Sequence, residues 1–223
     1  CFEVRLPELF TVASAEYEAI HSAWHKAIKT LPDYTVVHKQ DWYIKENYAP
    51  DIASDDLSFL GKSYQQHFNE RPFLYHYCYL FLTKTTKERM RMQSNFSSLC
   101  KGTLIPKEIR DKEVIHCFIE AVGQFERIAN DSGFIGLRSL TEEDIIGTDE
   151  KQGLLEQYLT LSREAGTPMQ DIALGPEEVR VGNKRLCLHT LSDTDDLPSA
   201  VSADTRYEKL STDRSDCRLS FAA

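Results

Sequence analysis

The chain has 223 residues, of which 41% are hydrophobic, so it is long enough for one large domain or two small ones with a buried core. Its 35 acidic and 26 basic residues give a formal net charge of -9 at pH 7. This balance argues against a protein whose whole surface binds nucleic acid, because neutralising phosphates requires an excess of Lys and Arg. A local basic patch remains compatible with this net charge.

The cysteines are spread along the chain without a Cys-x-x-Cys pair. A chain of this length does not need disulfides for stability, so the pattern favours reduced thiols in a cytoplasmic setting. No stretch reaches the roughly 20 apolar residues that a membrane helix needs. The chain begins at Cys1 in strand-like sequence and ends on Ser-Phe-Ala-Ala, so we expect a fragment of a longer protein.

The first 140 residues predict an alternation of strands and helices. Helices are indicated by apolar residues recurring three or four positions apart, and strands by alternation or by short continuous apolar runs. A short strand opens at Phe2 and Val4, and a helix capped by Ser14 follows. The later predicted elements are a strand at 34–46, a helix at 55–70, a strand within 71–85, a long helix that follows Pro106 and is stopped by Asp131-Ser132-Gly133, and a strand at 134–140.

The stretch from Arg71 to Thr85 is apolar on both of its alternating faces. Successive side chains of a strand point to opposite faces, so this pattern predicts a strand that is covered on both sides. Its aromatic content favours a strand over a helix, and Pro72 fixes where it starts. We expect it to be the central strand of a sheet.

The element order predicts the fold class. With the helix at 55–70 set aside as an insertion, the order is strand, helix, strand, strand, helix, strand. This order is that of an α+β, ferredoxin-like antiparallel sheet with helices on one face, which we assign to residues 1–140.

A second part is predicted over residues 141–223, as a helical connector and a β-rich subdomain that is incomplete at its C-terminus. A short acidic helix at 141–146 and a helix at 150–161 form the helical connector. Gly182-Asn183 then marks a hairpin turn between two short strands. The last strand, Cys217 to Phe221, is expected to lack its neighbour.

Gly61-Lys62-Ser63 resembles the end of a phosphate-binding loop. The complete motif needs a glycine five residues earlier, where this chain has Asp56, and a helix that starts at the lysine. The triplet lies inside a predicted helix instead. We therefore predict no nucleotide site at this position.

His21 and His25 are four residues apart on the first predicted helix, with Glu18 one turn earlier. Zinc sites use this spacing, but the sequence offers no obvious further ligand, so solvated histidines or histidines at the edge of the core are the preferred interpretation and zinc is the alternative. An acidic run resembles a calcium loop but lacks its glycine and its final Glu, so we interpret it as solvated. That run contains Asp193, Asp195 and Asp196.

A basic run follows the central strand directly, and it is the predicted partner-binding surface. Apolar residues are interleaved with its cations, a composition that suits a partner protein, anionic lipid or DNA. Loops often carry function, although a solvated loop without a partner is the other reading. The candidate binding residues are Lys84, Lys87, Arg89 and Arg91.

Four strings of residues resemble the TraG family, the conjugation-system ATPases of bacterial conjugative transposons, which are similar to the large ATPase of type IV secretion systems. The strings are KQDWYIKENY at 39–48, FNERPF through LTKTTKER at 68–89, QSNF at 93–96 and LSTDRSDCRLSF at 210–221. The resemblance runs over essentially the whole chain and covers only the N-terminal region of such proteins. Their motor domain with the P-loop follows later in the polypeptide.

The resemblance implies a non-catalytic domain on the cytoplasmic side of the bacterial inner membrane. Such a domain would dock the motor to inner-membrane secretion components or to neighbouring subunits. No cofactor is expected in this region, since ATP and Mg belong to the downstream motor domain. The alternatives are a DNA-contacting module of the transfer machinery and a small independent enzyme that uses zinc at His21 and His25.

Overall fold

A computed structural model describes residues 1–7, 12–46, 58–70, 73–87, 107–149, 151–160, 171–176, 178–187 and 217–222. The chain forms two compact units. Unit 1 comprises Cys1–Arg138 together with Thr205–Ala223, and unit 2 comprises Ser139–Asp204. The secondary structure is mixed, so the fold is α+β as predicted.

The strands, in chain order, are β1 Phe2–Arg5, β2 Thr35–Glu46, β3 Phe73–Lys84, β4 Gly136–Ser139, β5 Gly147–Thr148, β6 Lys151–Gln152, β7 Ile172–Leu174, β8 Val179–Val181, β9 Lys184–Leu186 and β10 Cys217–Ala222. The helices are α1 Ser14–Ile28, α2 Phe59–Asn69, α3 Lys112–Asp131, α4 Glu142–Ile146 and α5 Leu154–Thr160, and a 3-10 helix at Lys107–Arg110 precedes α3. None of the helices in these described ranges is long and apolar enough to cross a membrane.

The strands of unit 1 form a sheet in the order β10-β2-β3-β1-β4. Three neighbouring pairs are antiparallel: β10 with β2, β2 with β3, and β3 with β1. The strand predicted from its aromatic run is therefore the central one. Its middle is buried on both alternating faces, at Cys78, Tyr79 and Leu80, which confirms the interpretation of that pattern.

One face of this sheet carries the main hydrophobic core. The register places Phe2 opposite Leu80 and Val4 opposite Cys78, so these four side chains share a face. Small residues of α1 and α3 pack against that face around the fully buried Phe125. The two helices therefore cover the same side of the sheet.

The opposite face is aromatic and contains a polar contact. Trp42 is fully buried, its indole Nε1 donates to Gln40 Oε1 at 3.1 Å, and its ring meets that of Tyr79 edge-on at 5.3 Å. A buried indole needs a hydrogen-bond acceptor, and the amide two residues earlier on the same face of β2 supplies one.

The helix ends follow local chemistry. Asp111 caps α3 by accepting from the Glu113 amide at 3.0 Å, and Gly133 takes the left-handed conformation predicted for it after the helix, with φ 75°. The cap of α1 differs from the prediction, because it is Ala13 and not Ser14. The Ala13 amide donates to the Glu16 carboxylate at 2.9 Å, which satisfies the helix start from within the first turn.

The described residues of unit 2 contain two short helices and two small sheets. Thr141 and Asp144 cap α4 reciprocally, as expected for an acidic first turn. β7, β8 and β9 form an antiparallel sheet, and Gly182 makes its predicted turn with φ 59°. The residue that follows α4, Gly147, also has a positive φ of 99°.

The last strand has a neighbour, contrary to the prediction that it lacks one. We predicted Cys217 to Phe221 as part of the C-terminal subdomain without a neighbour. In the structure β10 pairs with β2 along its whole length, from Cys217 opposite Tyr43 to Ala222 opposite His38. It therefore belongs to the sheet of unit 1, because the open edge of β2 accepts its backbone hydrogen bonds.

Candidate functional site

The predicted basic run begins where β3 ends. Lys84 is the last residue of that strand, and Lys87 is exposed three residues later. The other two predicted residues, Arg89 and Arg91, lie outside the described residues. Thus the structure describes the start of the predicted surface, at Lys84, and one exposed cation of it, Lys87.

Lys84 contacts its own chain. Its ammonium Nζ donates to the carbonyl oxygen of Asp33 and lies 5.7 Å from the ring centroid of Tyr34. The ring face of a tyrosine attracts a cation, and the carbonyl adds a charge-assisted hydrogen bond. These contacts join the end of β3 to the residues that immediately precede β2.

A polar cluster that was not predicted lies on the helix-covered face, across β2 and β3. The register places Tyr43 opposite His76 and Asp41 opposite Cys78, and Lys39 lies two residues before Asp41 on the same face. Asp41 Oδ1 lies 2.8 Å from His76 Nε2, and Asp41 Oδ2 accepts from Lys39 Nζ. A charged carboxylate can only accept, so Nε2 carries the proton of the first contact.

Burial and hydrogen bonds act in opposite directions on Asp41. Its side chain is only 7% exposed, and burial by itself would raise the pKa of the carboxyl group. The hydrogen bonds from His76 and Lys39 outweigh burial, so the pKa of Asp41 lies below its ordinary value. Asp41 is therefore a buried carboxylate held in its charged form by two donors.

The two donors are more accessible than the carboxylate. The side chain of His76 is 37% exposed and that of Lys39 is 29% exposed. The imidazole also stacks on the Tyr43 ring, with centroids 4.8 Å apart and planes 17° apart. Asp41 and Tyr43 thus fix the orientation of a partly exposed imidazole.

The neighbouring thiol is not activated. Burial raises the pKa of Cys78 to about 12, so the group remains a thiol at neutral pH. A thiol is a poor nucleophile, whereas a thiolate is a good one. The contacts of the cluster hold β2 against β3, and its thiol is unsuited to nucleophilic attack at neutral pH.

The structure describes two further motifs of the sequence analysis, the Gly61-Lys62-Ser63 triplet and the His21/His25 pair. Gly61-Lys62-Ser63 is inside α2, as predicted, so the lysine does not begin a helix. His21 and His25 are both exposed on α1. Within the described ranges, no group of three or more His, Cys, Asp or Glu side chains could hold a metal ion. The run at 193–196 lies outside the described residues.

The Asp41 cluster was missed because its signal depends on register. Lys39 and Asp41 lie in a continuous polar run of β2, His38 to Asp41, which by itself indicates a solvent-exposed part of a strand. His76 is 35 residues from Asp41, and only the pairing of β2 with β3 brings the two together. The sequence signal that could have indicated this cluster is the presence of an aspartate and a histidine on two strands that are predicted to pair.

Residues 1–22 match a family model described as "Domain of unknown function, B. Theta Gene description (DUF3875)". The matched residues include β1 and the first half of α1. The description names no activity. No curated protein matches the chain.

Proposed function

We propose that this chain is a non-catalytic N-terminal docking domain of a conjugative DNA-transfer ATPase similar to the TraG family. It would lie on the cytoplasmic face of the inner membrane and contact membrane-embedded secretion components or neighbouring subunits. The motor chemistry, with its ATP and Mg, would reside in a downstream domain. The proposal starts from the four strings of residues that resemble that family.

The observation that carries the proposal is where these strings lie in the fold. The string at 39–48 contains most of β2, the string at 68–89 contains all of β3, and the string at 210–221 contains most of β10. These three strands are adjacent in the sheet. Three strings that are distant in sequence thus lie on three adjacent strands of the five-stranded sheet, which supports a shared fold over a coincidence of short matches. The fourth string, at 93–96, lies outside the described residues.

The arrangement of unit 1 supports the ferredoxin-like part of the proposal. Without β10 and α2, the strand order is β2-β3-β1-β4, with α1 connecting β1 to β2 and α3 connecting β3 to β4. Both helices pack on one face. This is the order expected of a split βαβ unit, to which β10 adds a further edge strand.

The docking surface in this proposal is the basic run after β3. Lys87 is exposed, and cations on a surface that meets an acidic partner steer association and fix its register. The test is the charge reversal of Lys87, Arg89 and Arg91 to Glu in the full-length protein, with conjugative transfer frequency as the readout. We expect transfer to fall at least about tenfold, since reversed charges cost more than about 1.4 kcal/mol of binding free energy.

A matched control reverses three exposed lysines elsewhere in unit 1. Lys26, Lys29 and Lys112 are exposed on or beside α1 and α3, so the control makes the same change in net charge. The control variant should transfer normally, and the Lys87/Arg89/Arg91 variant should unfold at the same urea concentration as the wild type. Normal transfer in the Lys87/Arg89/Arg91 variant would refute this docking surface. Specific loss of DNA binding with a steep salt dependence would favour the DNA-contacting alternative.

A further inference from the structure

Three side chains of β2 are joined by hydrogen bonds on the aromatic face of the sheet, opposite to the face that α1 and α3 cover. His38, Gln40 and Trp42 are two residues apart, so they share one face of the strand. The indole Nε1 of Trp42 lies 3.1 Å from Gln40 Oε1, and Gln40 Nε2 lies 3.2 Å from His38 Nε2. Trp42 and Gln40 are buried, whereas His38 is half-buried.

The buried indole determines which way the Gln40 amide is turned. An indole N–H can only donate, so it faces the amide oxygen, and the amide NH₂ group therefore faces His38. This NH₂ group can also only donate. His38 Nε2 thus accepts the hydrogen bond and carries no proton, so the imidazole is neutral, with its N–H at Nδ1.

The residues beside His38 on the two neighbouring strands are uncharged. Phe81 of β3 is directly opposite, with its ring centroid 5.6 Å from that of the imidazole, and Ala222 of β10 is opposite on the other side. The next positions along the same face of these strands are Tyr79 and Ser220. A tyrosine hydroxyl ordinarily titrates near pH 10, so these residues do not change charge in the range where a histidine does.

The charged residues that the register places on this face lie further from His38. Glu3 is on β1, beyond β3, and its carboxylate accepts from Arg138 Nε at 2.8 Å. Arg218 and Glu46 occupy register positions four and eight residues along the face from His38. Among the described residues of these strands, His38 is therefore the group on this face whose charge changes near neutral pH.

We propose that His38, Gln40 and Trp42 form a pH-sensitive relay, in which protonation of His38 withdraws the hydrogen-bond acceptor of the buried indole. Protonated His38 has an N–H at Nε2, which faces the NH₂ group of Gln40, a donor against a donor. Rotation of the amide relieves this conflict and gives the imidazolium a carbonyl acceptor. A hydrogen bond from a charged donor is roughly twice as strong as one between neutral groups, so the imidazolium keeps the oxygen and the indole loses it.

Protonation of His38 therefore acts at the centre of the sheet. Trp42 is fully buried, and a buried donor that loses its acceptor is destabilising. The indole ring meets that of Tyr79 edge-on at 5.3 Å, so a displaced indole changes the packing between β2 and β3. The relay does not depend on the proposed docking function, since it connects groups within the sheet itself.

The test follows both tryptophan indole N–H signals by NMR in the full chain, between about pH 8 and about pH 5.5. Trp24 is the internal control, because it contacts Phe125 on the helix-covered side of the sheet. We expect the Trp42 signal to shift with the same midpoint as the His38 ring. Its protection against hydrogen exchange, corrected for the pH dependence of a free indole, should fall about tenfold, while that of Trp24 stays constant.

Two variants identify the group responsible. Gln40→Glu supplies a carboxylate that accepts from the indole and from the imidazolium together, so the pH response of Trp42 should disappear. His38→Leu removes the titrating ring and should have the same effect. A Trp42 signal and protection that stay unchanged while His38 titrates would overturn the relay, as would a neutral His38 with its N–H at Nε2 in long-range ¹H–¹⁵N spectra. These two wild-type results decide the proposal even if a variant fails to fold. A Trp42 response that persists in both variants would also overturn it, because another group would then be its source.

Discussion

Removal of the imidazole at position 76 tests the polar cluster between β2 and β3. His76→Ala removes a donor 2.8 Å from a buried carboxylate and a ring stacked on Tyr43. A hydrogen bond to a charged group contributes about 1.5–3 kcal/mol, which the partial exposure of His76 reduces, and the ring contact adds about 0.5–1 kcal/mol. We therefore expect the free energy of unfolding to fall by about 2 kcal/mol.

Urea unfolding measures this change. With a slope of about 2 kcal/mol per M, the unfolding midpoint should move down by about 1 M while the slope stays the same. His76→Gln places an amide donor near the position of Nε2, so it should restore more than half of the loss. Because Gln lacks the stacked ring, recovery should remain incomplete.

The matched control is His116→Ala. His116 also contacts a carboxylate, Glu120, at 3.3 Å, but both side chains are mostly exposed on α3, so this pair should contribute less than about 0.5 kcal/mol. Equal, small midpoint shifts for His76→Ala and His116→Ala would refute the reasoning, since burial of Asp41 would then have no energetic consequence.

Two further predictions concern acid stability and unit 2. Because the pKa of Asp41 is lower in the folded state, its contribution is present above the unfolded pKa of about 3.9 and is lost as pH falls through the folded pKa. The stability difference between the wild type and Asp41→Asn should therefore narrow from pH 7 to pH 3 in urea unfolding, and a constant gap would contradict this. In unit 2, a Cβ at Gly153 would lie 2.2 Å from the carbonyl carbon of Ile146, so Gly153→Ala should destabilise the unit by about 3 kcal/mol. The control Gly123→Ala has open space in the middle of α3 and should be neutral or stabilising in thermal unfolding; equal behaviour of the two variants would exclude the clash.

The parts of the fold set by local chemistry were predictable from the sequence. The apolar run on both faces identified β3 as the central strand. Successive side chains of a strand point to opposite faces, so apolar residues on both alternating sets indicate that both faces are buried. Gly133 and Gly182 were predictable for a similar reason, since their left-handed conformations suit glycine wherever they occur in the fold.

The parts that depend on long-range pairing were not predictable. The sequence of β10 indicates a strand but does not indicate which strand it pairs with. That its partner is β2 is known only from the structure. The same limit hid the Asp41–His76 pair, because each residue alone fits an ordinary strand pattern. For Lys84, the sequence shows a cation after a strand, while its contacts with Asp33 and Tyr34 arise from the way the β2–β3 ladder ends.

The most direct test of the proposed function is to read the coding DNA past the codon for Ala223. A docking domain of a conjugative ATPase should be followed in the same reading frame by a motor domain. We predict a G-x-x-x-x-G-K-[ST] motif between a strand and a helix, with an acidic Walker B strand further on. A stop codon soon after Ala223 would contradict the account, since the chain would then be a free-standing protein without a motor.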